Sequence, residues 1–395
     1  MDRLNILIIP PNDLLRHPLP NRLYHLGKRF AKRHNIYLLS YPKHPLASPD
    51  KLRTMNCQEI LYKPLLGDGN LGLYYIVNTP VIWSALTSII AEVDVVLHAN
   101  IVPSLIATQL AKSHDTPLVF DYLDHFPESA SAYYVNSPLY SISYKAVYAT
   151  VARALRASDL VVTVSFTLLK ILTNIIRDSG KVFLLPNGVD PELFKPIATE
   201  TARKTIELDN YDYVIFYFGS IDAWFDFETL FRLAKKLRNI LDNLALVLGG
   251  ISHNPAMRRH INHLIEKHEL GKSIVVLPYQ PDEKVPLYVN AADLVIAPYK
   301  KVAKNFGTPL KILETLACAK PVVTTNIPEF KLWFRGAPVY YYSSESELEE
   351  IALKLLRHSD ALREEHLKAS EHVRNKFSWD TLAAQYEELL KGLMP

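Results

Sequence analysis

The sequence predicts an α/β protein made of two doubly wound lobes, each a parallel sheet covered by helices on both faces. Short apolar runs recur along the chain, and the segments between them carry three- and four-residue apolar spacing. The runs lack strict alternation, as suits parallel strands buried on both sides. They also fall into two sets with a strandless stretch between 191 and 212. A chain of 395 residues has room for two cores of this kind.

The first set predicts strands at 4–9, 36–41, 93–98, 118–121, 160–164 and 182–185. The second predicts them at 214–218, 244–248, 274–277, 294–297, 321–324 and 339–342. Many begin after Asp, Lys or Pro and stop at Gly, Pro, Ser or Asn, the turn signals that bound buried strands. Helical spacing fills 21–34, 227–240 and 255–268, and 379–390 reads as a final amphipathic helix with no strand after it. Lys195-Pro196-Ile197-Ala198-Thr199-Glu200 reads as a polar linker. The expected domains are therefore 1–190, 191–375 and a terminal helical segment, 376–395.

Composition narrows the class further. Lys and Arg total 44 against 41 Asp and Glu, a balance that argues against a dedicated nucleic-acid binder or an acidic tail protein. With 49% hydrophobic and 22% charged residues the chain is not mostly disordered. Cys57 and Cys318 are too few for a disulfide scaffold or a cysteine metal site, and the 14 histidines are scattered, so no metal is expected. The opening MDRLNILIIP is too short for a secretory signal. A soluble, cytoplasmic protein is the expectation. One stretch tests it: no charge falls between Asp68 and Glu92. Asn78-Thr79-Pro80 interrupts that stretch, which reads as a loop followed by a buried helix from 80 to 92, with Thr79 as N-cap.

Ligands of open parallel sheets sit beyond the carboxyl ends of the strands where strand order reverses, so a cleft between the lobes is the expected site. Three segments follow strands and carry chemistry. In Gly307-Thr308-Pro309-Leu310-Lys311-Ile312-Leu313-Glu314, Thr308 suits an N-cap and Pro309 a first helical position. A helix start favours an anion such as a diphosphate, and Lys311 in that first turn makes electrostatic sense against a phosphate. Glu314 falls on the same face, placed to accept hydroxyl hydrogen bonds from a ribose. An ordinary capped surface helix with a Lys–Glu pair explains the same spacing. The second segment runs from Tyr217 to Asp226, where Gly219 and Ser220 present N–H groups and Trp224 and Phe225 serve either packing or sugar stacking. It is neither a GxGxxG nor a Walker fingerprint. The third, Val119 to Glu128, brings Asp121, Asp124, His125 and Glu128 to a strand end, and His98 ends another strand. A lone loop histidine is more often structural.

Taken together these residues resemble a known family. Leu185-Pro186-Asn187-Gly188-Val189-Asp190, with Phe194 and Pro196, is similar to the segment that joins the lobes of family-4 (group 1) glycosyltransferases of GT-B fold. Gly307–Glu314 with Thr315-Leu316-Ala317-Cys318-Ala319-Lys320-Pro321-Val322-Val323 resembles that family's donor motif. Tyr279, the segment from Leu287 to Asp293, and Ala297-Pro298-Tyr299 resemble the stretch before it, and Phe377-Ser378-Trp379 the start of its last helix. The loop Gly219-Ser220-Ile221-Asp222-Ala223-Trp224-Phe225-Asp226 places the chain nearest the subgroup with a G-x-I-x-x-W-F-D loop.

The resemblance implies two Rossmann-like lobes facing across a cleft, an acceptor lobe first and a nucleotide-sugar donor lobe second, with the C-terminal helix crossing back onto the first. It implies transfer of a sugar from a UDP- or GDP-sugar to a hydroxyl of a glycan or lipid-linked acceptor, with retention. Lys311 would contact the donor phosphate, Glu314 the ribose, Gly219 and Ser220 the diphosphate, Thr308, Pro309 and Leu310 the sugar and phosphate, and Tyr279 the base. His125 or Asp124 would lie near the anomeric carbon, and Asn12, His98, Asp121 and Glu128 would serve the acceptor. No cofactor or metal is required if Lys311 and helix N–H groups stabilise the leaving diphosphate. Three positions depart from the pattern: Phe306 stands where many members have a first glutamate, Ala319 replaces a glycine, and Pro10-Pro11-Asn12-Asp13 replaces a Gly-rich loop. A nucleotide-sugar epimerase and a non-catalytic nucleotide-sugar binding protein are the alternatives. Tyr133, Tyr134, Tyr140, Tyr144 and Tyr148 beside Lys145, Arg153 and Arg156 suit peripheral contact with a membrane, or equally the packing of a Tyr-rich helix.

Overall fold

A computed structural model of the chain describes residues 3–67, 69, 71–131, 137, 139–222, 224–251, 255–278, 280–300, 307–358 and 360–394. The chain divides into two compact units, Met1–Asn187 with Trp379–Pro395, and Gly188–Ser378. The predicted boundary after residue 190 thus lies three residues late, and the last helix belongs to the first unit.

The first unit holds a seven-stranded sheet of β1 (Asn5–Ile9), β2 (Asn35–Leu39), β3 (Gln58–Ile60), β4 (Val95–His98), β5 (Leu118–Tyr122), β6 (Leu160–Thr163) and β7 (Val182–Leu184). Its order is β3-β2-β1-β4-β5-β6-β7 with every pairing parallel. All residues of β4, β5 and β6 are buried, which is why their sequences read as unbroken apolar runs. Sequence reasoning missed β3, because Gln58-Glu59-Ile60 is a short, partly exposed edge strand without an apolar run.

The second unit holds β8 (Tyr213–Ser220), β9 (Leu244–Ile251), β10 (Ile274–Leu277), β11 (Leu294–Ala297), β12 (Val322–Thr325) and β13 (Val339–Tyr342). The order is β10-β9-β8-β11-β12-β13, again all parallel. Strands β8 and β9 run past the glycines expected to end them, pairing Gly219 with Gly250 and Ser220 with Ile251. A Cβ on Gly250 would lie 2.3 Å from the Gly219 carbonyl oxygen, so only glycine lets the two strands continue side by side there.

In the first unit the helix Trp379–Lys391 packs on the helix Arg22–Phe30, which Asn21 caps through the Tyr24 N–H. Trp379, Tyr386 and Leu390 are buried, the Trp379 ring stacks on His25 at 4.9 Å, and Arg33 pairs with Glu387 at 2.7 Å. The stretch before Asn78, expected as a loop, is instead the helix Leu71–Val77. The next helix, Thr79–Thr87, starts at Thr79 rather than being capped by it, with Pro80 in its first turn. Buried Asn78 makes the break: its carbonyl oxygen accepts from the Leu65 and Leu66 N–H groups, and its amide donates to the Leu66 and Tyr74 carbonyls. Among the described residues no single helix is long and apolar enough to cross a membrane; the pair on either side of Asn78 passes only together and is bent by 54°.

Candidate functional site

In the second unit strand order reverses between β8 and β11, and the loops after these two strands converge there. The loop after β8 is pinned to the end of β11: the Asp226 N–H donates to the Pro298 carbonyl at 2.7 Å, the Lys300 N–H to the Trp224 carbonyl at 2.9 Å, and Phe225 bridges Tyr299. Asp226 also caps the helix Phe227–Arg238 through the Thr229 N–H.

After β11 comes the helix Leu310–Ala317. It opens one residue later than predicted: Pro309, not Thr308, is its N-cap, in extended geometry (φ −71°, ψ 116°) and without a side-chain cap. Thr308 is buried. The Leu310 and Lys311 N–H groups head the helix with no acceptor inside it.

Lys311 is the distinctive residue. Its ammonium sits 4.4 Å from the centre of the Phe225 ring and 5.5 Å from that of Tyr217, whose hydroxyl donates to the Ser220 carbonyl. It packs against Gly219, which has φ +108°; a Cβ there would lie 2.7 Å from both Lys311 Cε and Nζ. Among the described residues no carboxylate lies within ion-pair distance of Lys311, and burial lowers its pKa to about 8, the charge of Glu314 opposing the shift. Glu314, one turn on, is pushed up to about 7 by burial, with Lys311 pulling it down and Asp282 adding to the rise. A cation in the first turn of its own helix, over two aromatic rings and with only the more distant charge of Glu314 to offset it, is held at an electrostatic cost. A bound anion removes that cost.

Phe225 and Tyr217 are the residues sequence reasoning undervalued. Phe225 is buried and packs on Tyr217, Phe227 and Tyr299, so it belongs to the core that supports Lys311; Trp224 is exposed. Tyr279 and Phe306 lie outside the described residues, as do Tyr133 and Tyr134.

The first unit treats its predicted residues differently. His98 has no exposed surface; its Nδ1 shares a 2.7 Å hydrogen bond with Ser104 and its ring packs on Phe120, and burial lowers its pKa to about 3. Asp121 is equally sealed, paired with Arg22 at 3.0 Å, and burial raises its pKa against the pull of Arg22. Both had been expected to reach an acceptor. Both instead lie inside, because β4 and β5 are central strands covered on each face.

His125 is buried with Nδ1 3.1 Å from the Tyr122 hydroxyl and Nε2 3.4 Å from that of Tyr144. Its N–H donates to Asp124 Oδ1 at 2.7 Å, and burial raises the Asp124 pKa. Glu128, partly exposed, lies in the first turn of the helix Phe126–Ser131, and Asn12 accepts from the Asn21 amide at 2.9 Å. The loop after β1 owes its shape to Asp13, a residue the sequence did not single out. Its fully buried carboxylate accepts from the Leu15, Arg16 and Tyr41 N–H groups and from the Arg16 guanidinium. Four donors on one carboxylate do the work a glycine-rich turn would do.

Two family models match the chain: Glycosyltransferase Family 4 over residues 20–193 and Glycosyl transferases group 1 over 198–336. A D-inositol 3-phosphate glycosyltransferase from Segniliparus rotundus is 28% identical over 224 residues, which are 54% of this chain and 49% of that protein. A lipopolysaccharide 1,2-N-acetylglucosaminetransferase from Salmonella typhimurium is 24% identical, over 54% of this chain and 57% of that one. The chain thus spans about half the length of the curated relatives it matches. Sucrose-phosphate synthase from Thermosynechococcus elongatus superposes with a TM-score of 0.81 at 18% identity, covering 99% of both chains. Anabaena HepE in complex with UDP-glucose superposes with 0.75 at 16% identity, covering 99% of this chain and 100% of that one. With one family model on each unit and the fold shared end to end, the chain belongs to the family-4 (group 1) glycosyltransferases and has the GT-B fold.

Proposed function

We propose that this protein transfers a sugar from a nucleoside diphosphate sugar to a hydroxyl of a glycan or lipid-linked acceptor, without a metal. The observation that carries the reading is the Lys311 ammonium, held over Phe225 at the head of a helix with no carboxylate within ion-pair distance among the described residues. A diphosphate supplies the missing charge, and its negative charge grows as the glycosidic bond breaks. A cation and two helix N–H groups already in place therefore stabilise the transition state more than the ground state. Glu314 takes the ribose hydroxyls, and Gly219 and Ser220 let the β8 loop approach the phosphates. The second unit is thus the donor unit. UDP is the favoured nucleotide of the donor, since a structural neighbour holds UDP-glucose.

The acceptor is assigned to the first unit, with His125 and Asp124 near the reacting carbon and Asn12 and Glu128 among its contacts. Retention of configuration follows the family resemblance. The test is a panel of UDP- and GDP-sugars read by thermal shift, because a ligand that binds only the folded state raises its melting temperature. The donor identified this way is then incubated with and without acceptor glycans. Acceptor-dependent release of nucleoside diphosphate supports transfer. A new sugar nucleotide formed without acceptor identifies an epimerase, and binding without turnover across the acceptor panel identifies a binding protein.

A further inference from the structure

Tyr122 ends β5 with no exposed surface, its ring packed edge-on against Phe120 and Phe126. Three residues on, the Asp124 carboxylate accepts the His125 N–H and turns the chain, so that the imidazole Nδ1 comes to lie 3.1 Å from the Tyr122 hydroxyl. Burial, with the charge of Asp124 beside it, raises the Tyr122 pKa, so the hydroxyl keeps its proton. Among the described residues that proton has one acceptor, His125 Nδ1.

Counting protons leaves one arrangement. A neutral imidazole has one N–H and one acceptor nitrogen. If Nδ1 carried a hydrogen, in the neutral ring or in the imidazolium, it would donate to the tyrosine oxygen. The buried O–H would then be left without an acceptor, a desolvation cost with nothing to offset it. With Nδ1 as the acceptor, the O–H is satisfied and the hydrogen of the ring goes to Nε2. On that side Nε2 lies 3.4 Å from the hydroxyl of Tyr144, in the helix Leu139–Ala157, whose ring stacks on those of Tyr140 and Tyr148 at 6.3 Å. Tyr144 is half-buried, so its hydroxyl can donate or accept and solvent completes the rest. It suits either form of the ring and does not choose between them. The sealed hydroxyl of Tyr122 does.

We propose that Tyr122 is a positioning residue that holds His125 as the Nε2–H tautomer, so that His125 gives a hydrogen bond from Nε2 and does not collect a proton there. The tautomer rests on the geometry alone; its part in catalysis rests on the transfer reading above. Nitrogen NMR of the full chain with isotope-labelled histidine tests it at about pH 8, above the usual histidine pKa, with His125→Gln identifying the His125 signals by their loss. The wild type should show Nδ1 as an acceptor nitrogen displaced by a hydrogen bond, and Nε2 as an N–H. Tyr122→Phe keeps the packed ring and removes only the hydroxyl, so it should move Nδ1 to the position of an unbonded nitrogen. Tyr144→Phe should leave Nδ1 where it is. A hydrogen on Nδ1 in the wild type would overturn the proposal, as would an Nδ1 signal that Tyr122→Phe does not move. Should Tyr122→Phe fail to fold, the wild-type spectrum decides by itself. In acceptor-dependent transfer, Tyr122→Phe should lower kcat about fivefold, the worth of one neutral hydrogen bond, with the donor KM unchanged. His125→Gln, which keeps an N–H donor, should retain more turnover than His125→Glu, whose carboxylate only accepts. The reverse order would make His125 a base and overturn its role as a donor. A protein that turns over no sugar nucleotide would defeat the transfer reading, and the ring signals would still decide whether Tyr122 sets the tautomer.

Discussion

The two sheets share one topology, yet their switch points spend charge in opposite ways. Where β1 and β4 part, and on the adjoining β5, the charged and polar side chains are paired within the unit: Asp13 by four donors, Asp121 by Arg22, His98 by Ser104, though Asp121 Oδ1, Arg22 Nη2 and His98 Nε2 keep no hydrogen bond. Where β8 and β11 part, Lys311 faces two aromatic rings and Glu314 is buried toward neutrality. The difference teaches how to tell a structural charge from a functional one. A buried ion with its partners supplied by the chain holds the fold together. A half-buried cation that no carboxylate pairs with is, on the reading proposed above, a candidate for a ligand.

The sharpest way to break this comparison is to remove a partner on the structural side. Arg22 pairs with Asp121 and also donates to the Pro186 carbonyl, under the ring of Tyr386. Arg22→Ala leaves Asp121 as an uncompensated buried charge and should cost about 3–5 kcal/mol of stability, read as a lower urea midpoint. Replacing both at once, Arg22→Met with Asp121→Leu, should recover most of that loss, because a well-packed apolar pair avoids desolvation altogether. Equal losses in the single and double variants would mean that packing and not charge pairing holds the end of β5.

The matching change on the functional side should act on catalysis and spare the fold. Lys311→Ala should lower kcat/KM by about 10²–10³-fold, the loss typical of one preorganised oxyanion contact. Its melting temperature should stay level or rise, since the substitution removes a desolvated cation that no carboxylate pairs with closely, at the cost only of its attraction to Glu314. A protein that melts well below wild type would place Lys311 among the structural charges and dissolve the contrast.

This contrast was only half visible in the sequence. The sheets were legible because parallel strands buried on both faces leave apolar runs, and Lys311 and Glu314 were legible because a cation in a first turn needs an external reason. The first unit was not. Asp121 and His98 end apolar runs just as a catalytic group would, and nothing local shows that Arg22, 99 residues away in sequence, already occupies Asp121. Asp13 went unnoticed because three of its four donors are backbone N–H groups, which every sequence has. Phe225 was ambiguous for a related reason: an aromatic residue in a loop reads alike whether it faces a sugar or the core.

Gly219 offers a gentler probe of the same site. At φ +108° with Lys311 Nζ 2.7 Å from where a Cβ would stand, Gly219→Ala must both strain the backbone and displace the ammonium. A loss of about tenfold in donor affinity is expected, with a stability cost of about 1 kcal/mol. Gly336, which also has positive φ but no atom within 4 Å of its Cβ position, is the control. Gly336→Ala should carry the backbone cost alone and leave donor affinity untouched.

The smallest effect is the most diagnostic, because it depends on protons and not on deleted atoms. The proposed donor site would need Lys311 and Glu314 charged together. Lys311 has its pKa lowered to about 8, so in the free protein the cation is lost as pH rises through that value. Glu314 has its pKa raised to about 7, so the carboxylate is lost as pH falls through that one. Donor affinity should therefore peak between about pH 7 and 8 and decline by up to tenfold per unit on either side. Binding a diphosphate raises the Lys311 pKa, so above pH 7 the complex should take up protons, seen by calorimetry as a binding heat that changes with the ionisation enthalpy of the buffer. Glu314→Gln should flatten the acid limb and Lys311→Arg the alkaline limb, each leaving the other in place. A flat profile from pH 6 to 9 in the wild type would show that neither group is desolvated in the free protein, and the proposed distinction between satisfied and withheld partners would fail at the site that suggested it.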